Sequence, residues 1–298
     1  MPSSITHQLI AEETLKQLPD PIKKVIESSS DEYFLGAQGP DVFFFYRIGN
    51  RSEYNLGRFM HRYRVYDVFS FFQNALREDT PPRFTPASRE KALAYILGFI
   101  THYCADSSFH PFVYNYLEAN NCGKRIHQQM ENDWDVWFLR ELREKSVEKF
   151  HFALSSKEII EDGSIARLYG CLARALGRED IEKHKFDNGV RNYCNYLKFF
   201  HGKCYSAQRG WEKAEKFFRA KPFLGALFPR ENPDPAFLSS EEFFELSEGR
   251  GHNADELFDR AVNEAVRLIP IFLDAAEHGE LLPREEFGNG LLTGKPVD

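Results

Sequence analysis

The sequence predicts an all-α protein built as a bundle of many helices. Apolar residues recur at intervals of three and four along most of the chain, which is the spacing of one face of an α-helix. Convincing runs of alternating apolar and polar residues, which are typical of half-buried strands, are absent from the sequence. The 298 residues, 42% of them hydrophobic, suffice for a large core. No internal repeat divides the chain. We therefore expect residues 1–298 to form one domain, with a metal-binding helical core in residues 1–150 and an additional helical layer in residues 155–298.

The N-terminal region predicts two helices followed by a loop. Residues 4–18 form a helix whose apolar face includes His7, and the prolines that follow end it. Residues 21–28 are a second, shorter helical piece. The sequence GAQGPD at residues 36–41 predicts a loop rich in turns, because glycine and proline favour turns.

The middle of the chain predicts longer helices. An aromatic-rich helix covers residues 58–77, and a helix with a strong apolar face covers residues 88–103 and continues into the sequence THYCADSSFHP. Because proline cannot donate a backbone hydrogen bond, we expect Pro111 to start a new helical segment and the helix before it to deform. A further helix covers residues 124–150.

The last part of the chain predicts three or four further helices. Residues 228–239, FPRENPDPAFLS, are the best candidate for a linker. The final helix begins after Asn253, which forms a capping box with Glu256, and it continues to about residue 277.

Charge and hydropathy exclude two classes of protein. The formal net charge is −7 and no stretch is strongly basic, whereas proteins that bind duplex nucleic acid neutralise phosphates with lysine and arginine. No run approaches the roughly 20 apolar residues of a membrane span. We therefore expect neither duplex nucleic acid as a partner nor an integral membrane segment.

The N-terminal sequence and the cysteines indicate a cytoplasmic location. The N-terminus lacks the basic and continuous apolar regions of a signal peptide. The five cysteines are scattered and none forms a C-x-x-C pair, which favours reduced thiols over disulfides or a thiolate zinc site. The sequence gives no indication of the oligomeric state.

Phenylalanine is unusually frequent, with 28 residues, many of them in pairs or runs. We expect most of these rings to fill the core between helices. The alternative is that some line an apolar groove that accepts lipid.

The sequence THYCADSSFHP contains His102, Asp106 and His110, each four residues from the next. Positions four apart on a helix differ by about 40° in direction, so His102 and Asp106 face the same way. His110 lies near that face if the helix continues. A single His/carboxylate pair at this spacing is more often a solvated surface pair than a metal site.

A second helix repeats the pattern. His127 and Glu131 are four residues apart in IHQQMENDWD, and Asp135 follows four residues later. Bundles build metal sites from side chains that project inward from facing helices. Asp135 is either a carboxylate that fixes a ligating histidine or an exposed helix acid.

Three further residues in the first part of the chain complete the candidate set. His7 lies on the apolar face of the first helix, His61 lies at the start of the aromatic helix, and Asp41 follows a Gly-Pro turn. Each taken singly is more often structural, as a core or surface histidine or as a turn residue. Imidazole and carboxylate without thiolate suit Zn2+, or otherwise iron or manganese, and eight ligands suit two or three ions. The eight candidate metal ligands are His7, Asp41, His61, His102, Asp106, His110, His127 and Glu131.

This order of residues, His, Asp, His, His-x-x-x-Asp, His and then His-x-x-x-Glu, resembles that of the zinc-dependent phospholipase C family, which is related to the single-strand-specific zinc nucleases. The sequences GFITHYCADSSFHP and HQQMENDWD resemble the bacterial, uncharacterised branch of the family, and the resemblance covers about residues 1–150. It implies an all-α fold with a zinc cluster at the base of a cleft.

The resemblance also implies how the ligands divide among the ions. Asp41, His61, His102 and Asp106 would hold one zinc ion. His110, His127 and Glu131 would hold a second. His7 and Asp106 would share a third, with Asp106 as a bridge, although the secreted enzymes complete that site with the amino group of a processed N-terminal residue.

The sequence therefore predicts a zinc-dependent phosphoesterase that hydrolyses a phospholipid or a related phosphodiester. Two neighbouring metal ions turn a bridging water into a hydroxide near neutral pH and neutralise the phosphodiester as it is attacked. Asp41 and Glu131 are the candidate catalytic residues.

One other class of protein stays open, and two are disfavoured. The alternative function is a helical metal- or ligand-binding protein without catalysis. A di-iron carboxylate bundle is disfavoured because it needs two Glu-x-x-His motifs, and only Glu148 to His151 fits. A phosphohydrolase with adjacent histidine and aspartate is disfavoured because the sequence has no His-Asp dipeptide.

Overall fold

The computed structural model describes residues 4–46, 55–178, 183–201, 204–218 and 225–297. The described chain is all-α, which confirms the predicted fold class, and its only strand-like features are two isolated bridges. The helices of the first half are α1 (Ser4–Gln17), α2 (Asp20–Ser28), α3 (Ser30–Ala37), a 3-10 helix (Gly39–Phe45), α4 (Leu56–Arg62), α5 (Val65–Ala75), α6 (Pro86–Ala119) and α7 (Lys124–Arg143). Later helices are α8 (Ser156–Asp162), α9 (Ser164–Ala175), α10 (Lys183–His201), α11 (Cys204–Phe217), α12 (Pro235–Leu238), α13 (Phe243–Leu246), α14 (Ala254–His278) and α15 (Arg284–Phe287), and short 3-10 turns lie at Val147–Lys149 and Gly225–Leu227.

Helix α6 is the central element of the fold. It begins with Pro86 at its first turn, where the Thr85 side chain accepts a hydrogen bond from the Ser88 backbone, and it continues for 34 residues. The expectation that Pro111 starts a new segment is wrong, because α6 continues through it. Proline removes only one helical hydrogen bond, and the buried residues next to it, Phe109, Phe112 and Val113, hold the helix in place.

Helices α3 and α6 cross at backbone contact. A Cβ atom on Gly36 would lie 2.0 Å from the carbonyl oxygen of Tyr95, and one on Gly98 would lie 2.0 Å from that of Tyr33. Only glycine permits this approach at both positions. Because of this crossing, the segment that follows α3 lies against the middle of α6. There it forms a 3-10 helix that contains Asp41, so the predicted loop at residues 36–41 is wrong.

Two other predicted helices end earlier than expected. The aromatic helix predicted for residues 58–77 divides into α4 and α5, because Arg64 adopts a left-handed conformation with φ 52°. The helix predicted for residues 124–150 stops at Arg143, where Glu144 is also left-handed, with φ 51°. Left-handed residues cannot continue a right-handed helix.

The predicted start of α14 is confirmed. The Asn253 side chain accepts a hydrogen bond from the Glu256 backbone at 2.8 Å. Glu256 in turn accepts from the backbone of His252, so the reciprocal bond of the capping box reaches one residue further than expected. After α15 the chain forms a tail, residues 288–297, that packs onto α6, and its Leu291 is fully buried.

The apolar interior consists of two clusters of buried side chains. One surrounds α3, α5, α6, α9 and α10, and the other joins α1 and α7 to the end of α6 and to α14. Both clusters draw residues from before position 150 and after position 155. The division into a core and an additional layer stays a prediction.

The phenylalanine pairs divide between the core and the surface. Phe43, Phe72 and Phe243 are buried as expected, whereas Phe217 and Phe218 are 80% and 75% exposed. No described helix is both long and apolar enough to cross a membrane. The four cysteines whose side chains are described form no disulfide with one another.

Candidate metal centre

The structure brings the eight predicted ligands into one region where four helices and the 3-10 helix meet. Seven of them are at most 9% exposed, and the His127 side chain is 14% exposed. Helix α6 supplies three ligands from one face, because the helix continues through Pro111 and keeps its four-residue spacing. The expected deformation before Pro111 is therefore not needed. The candidate ligands are His7 on α1, Asp41 on the 3-10 helix, His61 on α4, His102, Asp106 and His110 on α6, and His127 and Glu131 on α7.

Asp106 lies at the centre of the group. Its Oδ1 atom is 3.3 Å from Nε2 of His7 and 3.5 Å from Nδ1 of His110. Its Oδ2 atom is 3.2 Å from Nε2 of His61 and 3.4 Å from Nε2 of His102. Although burial favours the neutral acid, the positive charge of the nearby imidazoles, that of His110 first, holds the pKa of Asp106 well below its usual range.

His61 joins Asp106 to a second carboxylate. Its Nε2 atom lies 3.2 Å from Oδ1 of Asp41 as well as 3.2 Å from Asp106. Burial alone would lower the pKa of His61, but hydrogen bonds and charge from the two carboxylates raise it to about 10.

A second group lies between α6 and α7. Nε2 of His127 is 2.8 Å from Oε1 of Glu131, and Nε2 of His110 is 3.8 Å from the same oxygen. The rings of His110 and His127 meet edge to face at 5.6 Å. These three residues can present one nitrogen or oxygen each to a common point, with all three atoms within 4.8 Å of one another.

The remaining ligands form two more such groups. Asp41, His61 and His102 make one, and His7, His102 and Asp106 make the other. His102 belongs to both, whereas the sequence assigned only Asp106 to two ions. The ring of His102 also stacks on that of His7, with centroids 4.5 Å apart.

Backbone carbonyls orient three of the histidine rings. A carbonyl oxygen can only accept, so each of these rings carries its proton on Nδ1 and directs Nε2 toward the carboxylates. Ligating histidines in proteins are oriented in the same way by a hydrogen bond at the other ring nitrogen. The three bonds join Nδ1 of His61 to Gly57 (2.6 Å), of His102 to Ala37 (3.2 Å) and of His110 to Leu291 (3.0 Å).

Several buried polar atoms at the centre lack a hydrogen-bond partner within the described chain. They are Nε2 of His102, Oδ2 of Asp41 and Oδ2 of Asp106. A buried polar atom without a partner costs on the order of 1–3 kcal/mol, so these atoms require something that the side chains do not supply. His102 shares one possible metal group with Asp41 and another with Asp106, so divalent cations in these two groups would satisfy the three atoms. The residues therefore fit zinc, whose usual ligands include imidazole nitrogen and carboxylate oxygen.

Asp135 is buried, so its interpretation as an exposed helix acid is wrong. It accepts hydrogen bonds from the backbone nitrogen of Thr6 at 2.7 Å and from the Thr6 hydroxyl at 2.8 Å. It thereby fixes the start of α1, and with it His7, against α7. The expectation that it holds a histidine ring stays a prediction, and the contact with Thr6, the residue before His7, adds to it.

Two contributors to the centre were not identified from the sequence. Gly39 has φ +54°, and a Cβ atom there would lie 2.4 Å from Cδ2 of His102, so glycine is required beside this ring. Tyr114 contacts the rings of His110 and His127, at 5.8 and 5.6 Å between centroids. Its position could have identified it, because Tyr114 lies four residues after His110 and so continues the series of candidate ligands along one face of α6.

The comparisons with known proteins give one match. A family model described as zinc dependent phospholipase C matches residues 6–218, beyond the 150 residues that the sequence motifs covered. No curated protein and no solved structure is detectably similar to the chain.

Proposed function

Because the chain belongs to the zinc-dependent phospholipase C family, we propose that it hydrolyses the phosphodiester bond of a phospholipid or a related small molecule. The observation that carries this proposal is the convergence of eight imidazole and carboxylate side chains on one buried centre around Asp106. The all-α fold and the zinc-type ligand chemistry agree with membership of the family.

We propose the following division of ligands. Asp41, His61, His102 and Asp106 hold one zinc ion, and His110, His127 and Glu131 hold another. The close groupings of these side chains support both assignments.

A third ion would use His7 and Asp106, with Asp106 as the bridge. His102 also lies within this group. In the secreted enzymes that the sequence resembles, the N-terminal residue completes this site. Residues 1–3 of this chain lie outside the described residues.

Bound zinc ions supply Lewis acidity toward phosphoryl oxygens and lower the pKa of water. The side chains supply position and charge. One carboxylate oxygen of Asp41 lies 3.2 Å from Nε2 of His61, and the other has no hydrogen-bond partner in the described chain. Asp41 would be a metal ligand that also orients the attacking water. Glu131 holds His127 in place at 2.8 Å.

Burial of the centre strengthens every one of these interactions, because the charges act in a medium of low dielectric constant. Asp41, Asp106 and Glu131 are each at most 4% exposed. A negatively charged phosphodiester enters such a site only when metal ions offset the carboxylates. Metal and substrate binding are therefore coupled.

The test combines metal analysis with an assay of bis(p-nitrophenyl) phosphate hydrolysis. We expect at least two zinc ions per chain and hydrolysis that chelation abolishes. His127→Ala should lower both metal content and activity, whereas His151→Ala, at an exposed histidine far along the sequence, should leave both unchanged.

Less than one metal ion per chain, with no loss of hydrolysis in His127→Ala, would contradict the proposal. Bound zinc without hydrolysis of any phosphodiester would instead support the alternative of a metal-binding protein without catalysis.

A further inference from the structure

A cavity of about 490 Å³ lies beside the candidate metal centre. It is formed by the end of α4, the last part of α6, the turn after α13 and the C-terminal tail. The lining residues that matter for its chemistry are His61, Arg62, Tyr114, Glu248, Thr293 and Lys295. The tail and Glu248 lie outside the 6–218 range of the family model.

The cavity borders both ligand groups. His61 lines it directly and belongs to the group with Asp41 and His102. Tyr114 lines it from the other side, with its ring in contact with His110 and His127 of the second group. A molecule whose phosphate lies at the centre can therefore extend its far end into this cavity.

Positive charge predominates in the lining. Arg62 is exposed and forms no ion pair or hydrogen bond within the described chain. Lys295 lies 2.9 Å from Glu248, and its side chain is 62% exposed. The cavity thus offers two cationic side chains against one carboxylate.

That single carboxylate is already engaged. Glu248 is paired with Arg250 at 3.0 Å as well as with Lys295, and it accepts a hydrogen bond from Asn115 at 3.4 Å. Hydrogen bonds from Lys295, Arg250 and Asn115 outweigh burial and lower the pKa of Glu248. Arg250, which is absent from the lining, thus offsets the charge of Glu248 together with Lys295.

We propose that this cavity receives the ester group that stays on the phosphate and selects substrates that carry a negative charge on that group. This inference rests on the proposed phosphodiester hydrolysis. Arg62 supplies the main attraction for the negative charge, because it has no competing partner in the described chain. Lys295 is a second cation, which can leave Glu248 and pair with the ligand instead.

A quaternary ammonium group is the opposite class of ligand and fits less well. Such groups are bound by aromatic rings and unpaired carboxylates. Tyr63 and Tyr114 provide two rings, but they are 53% and 38% exposed and lie beside Arg62. A cation in this cavity would meet Arg62 and Lys295 without a free carboxylate to offset them.

The test compares two phosphomonoesters, phosphoglycolate and phosphocholine, which share a phosphate and differ in the charge at the other end. Their binding to the zinc-loaded protein is measured by calorimetry, so that the readout does not depend on catalysis. We expect phosphoglycolate to bind more tightly, and Arg62→Gln to reduce the ratio of the two affinities about fivefold.

Variants separate the roles of the lining residues. Lys295→Gln should reduce the same ratio by a smaller factor, since Lys295 begins in an ion pair. Arg64→Gln is the matched control, because Arg64 lies two residues away and pairs with Asp67 outside the cavity. Equal or tighter binding of phosphocholine, or an unchanged ratio in Arg62→Gln, would overturn the inference.

Failure of the inference and failure of the proposed function are distinguishable. Hydrolysis of bis(p-nitrophenyl) phosphate without a preference for phosphoglycolate would leave the function in place and refute the selection of negative charge. A preference for phosphoglycolate that Arg62→Gln removes, without hydrolysis, would establish the cavity as an anion site and refute the function.

Discussion

Nδ1 of His110 donates a hydrogen bond to the carbonyl oxygen of Leu291, 3.0 Å away, and so joins the centre of α6 to the C-terminal tail. The tail contains no predicted ligand, but it fixes the orientation of the His110 ring, which is a predicted ligand. A contact of this kind has a measurable effect, since hydrogen bonds that orient ligands typically change metal affinity 10–100-fold.

Leu291→Ala should therefore weaken zinc binding as well as folding. Leu291 is fully buried, so removing its side chain should cost about 2–5 kcal/mol of unfolding free energy. The tail should then loosen, and zinc affinity should fall about tenfold because His110 loses its carbonyl partner. Competition with a metal-binding dye and denaturation by urea measure the two effects.

Leu281→Ala is the matched control for that variant. Leu281 is 87% exposed and lies just before the tail, so its truncation should change neither quantity. A loss of stability in Leu291→Ala with unchanged zinc affinity would show that the carbonyl contact does not orient the ligand.

Asp106→Asn should remove more metal than any other single substitution. The carboxylate lies within 3.5 Å of four histidine nitrogens, and an amide retains the shape but supplies no charge to offset the ions. We expect the variant to bind at least one zinc ion fewer per chain, as determined by elemental analysis. Asp259→Asn, at an exposed position on α14, should retain the full metal content.

Gly39→Ala should displace the His102 ring. The new methyl group would lie within 2.7 Å of three ring atoms, and the backbone is left-handed at this position. We expect lower zinc affinity together with a loss of stability. Gly177→Ala distinguishes the two causes, because Gly177 is also left-handed, with φ +71°, but has open space around it. If both variants lost zinc affinity equally, backbone strain rather than the ring contact would be responsible.

His201 should make stability depend on pH. Burial lowers the pKa of His201 to about 4, whereas an unfolded histidine titrates near 6.5. Below about pH 6.5 the unfolded chain therefore binds a proton that the folded chain does not bind until about pH 4, so stability falls as the pH falls through this window. The loss attributable to this group should be about 2 kcal/mol between pH 7 and pH 5.

The measurement compares urea denaturation of the wild type and of His201→Phe at the two pH values. The phenylalanine variant cannot titrate and packs against Phe152, whose ring lies 5.6 Å from that of His201. Its stability should fall less between pH 7 and pH 5. An identical decrease in both proteins would show that His201 is not the group responsible.

The grouping of the candidate ligands on α6 and α7 could be predicted from the sequence, because each helical pair is local. His102 with Asp106 and His127 with Glu131 lie one turn apart, and helix geometry alone places them on one face. The buried position of Asp41 and its distance to His61 could not be predicted, because they depend on the glycine crossing of α3 and α6. That crossing is a tertiary contact with no local periodicity.

The tail shows the other limit of sequence reasoning. Its bond to His110 joins residues 181 positions apart and uses a backbone carbonyl, which every residue possesses. No residue type therefore indicates the contact. The course of α6 through Pro111 was also missed, because surrounding side chains stabilise a helix that the local sequence would interrupt.

The position of Asp106 between four histidines has a consequence for assembly of the protein. In the unfolded chain only the one-turn pairs exist, and a single pair is a weak chelator. High affinity arises only after α1, α4, α6 and α7 have docked, so the rate of zinc uptake during refolding reports the docking of these helices rather than their formation. We therefore expect zinc uptake to serve as a probe of this docking, measurable with any dye that competes for zinc.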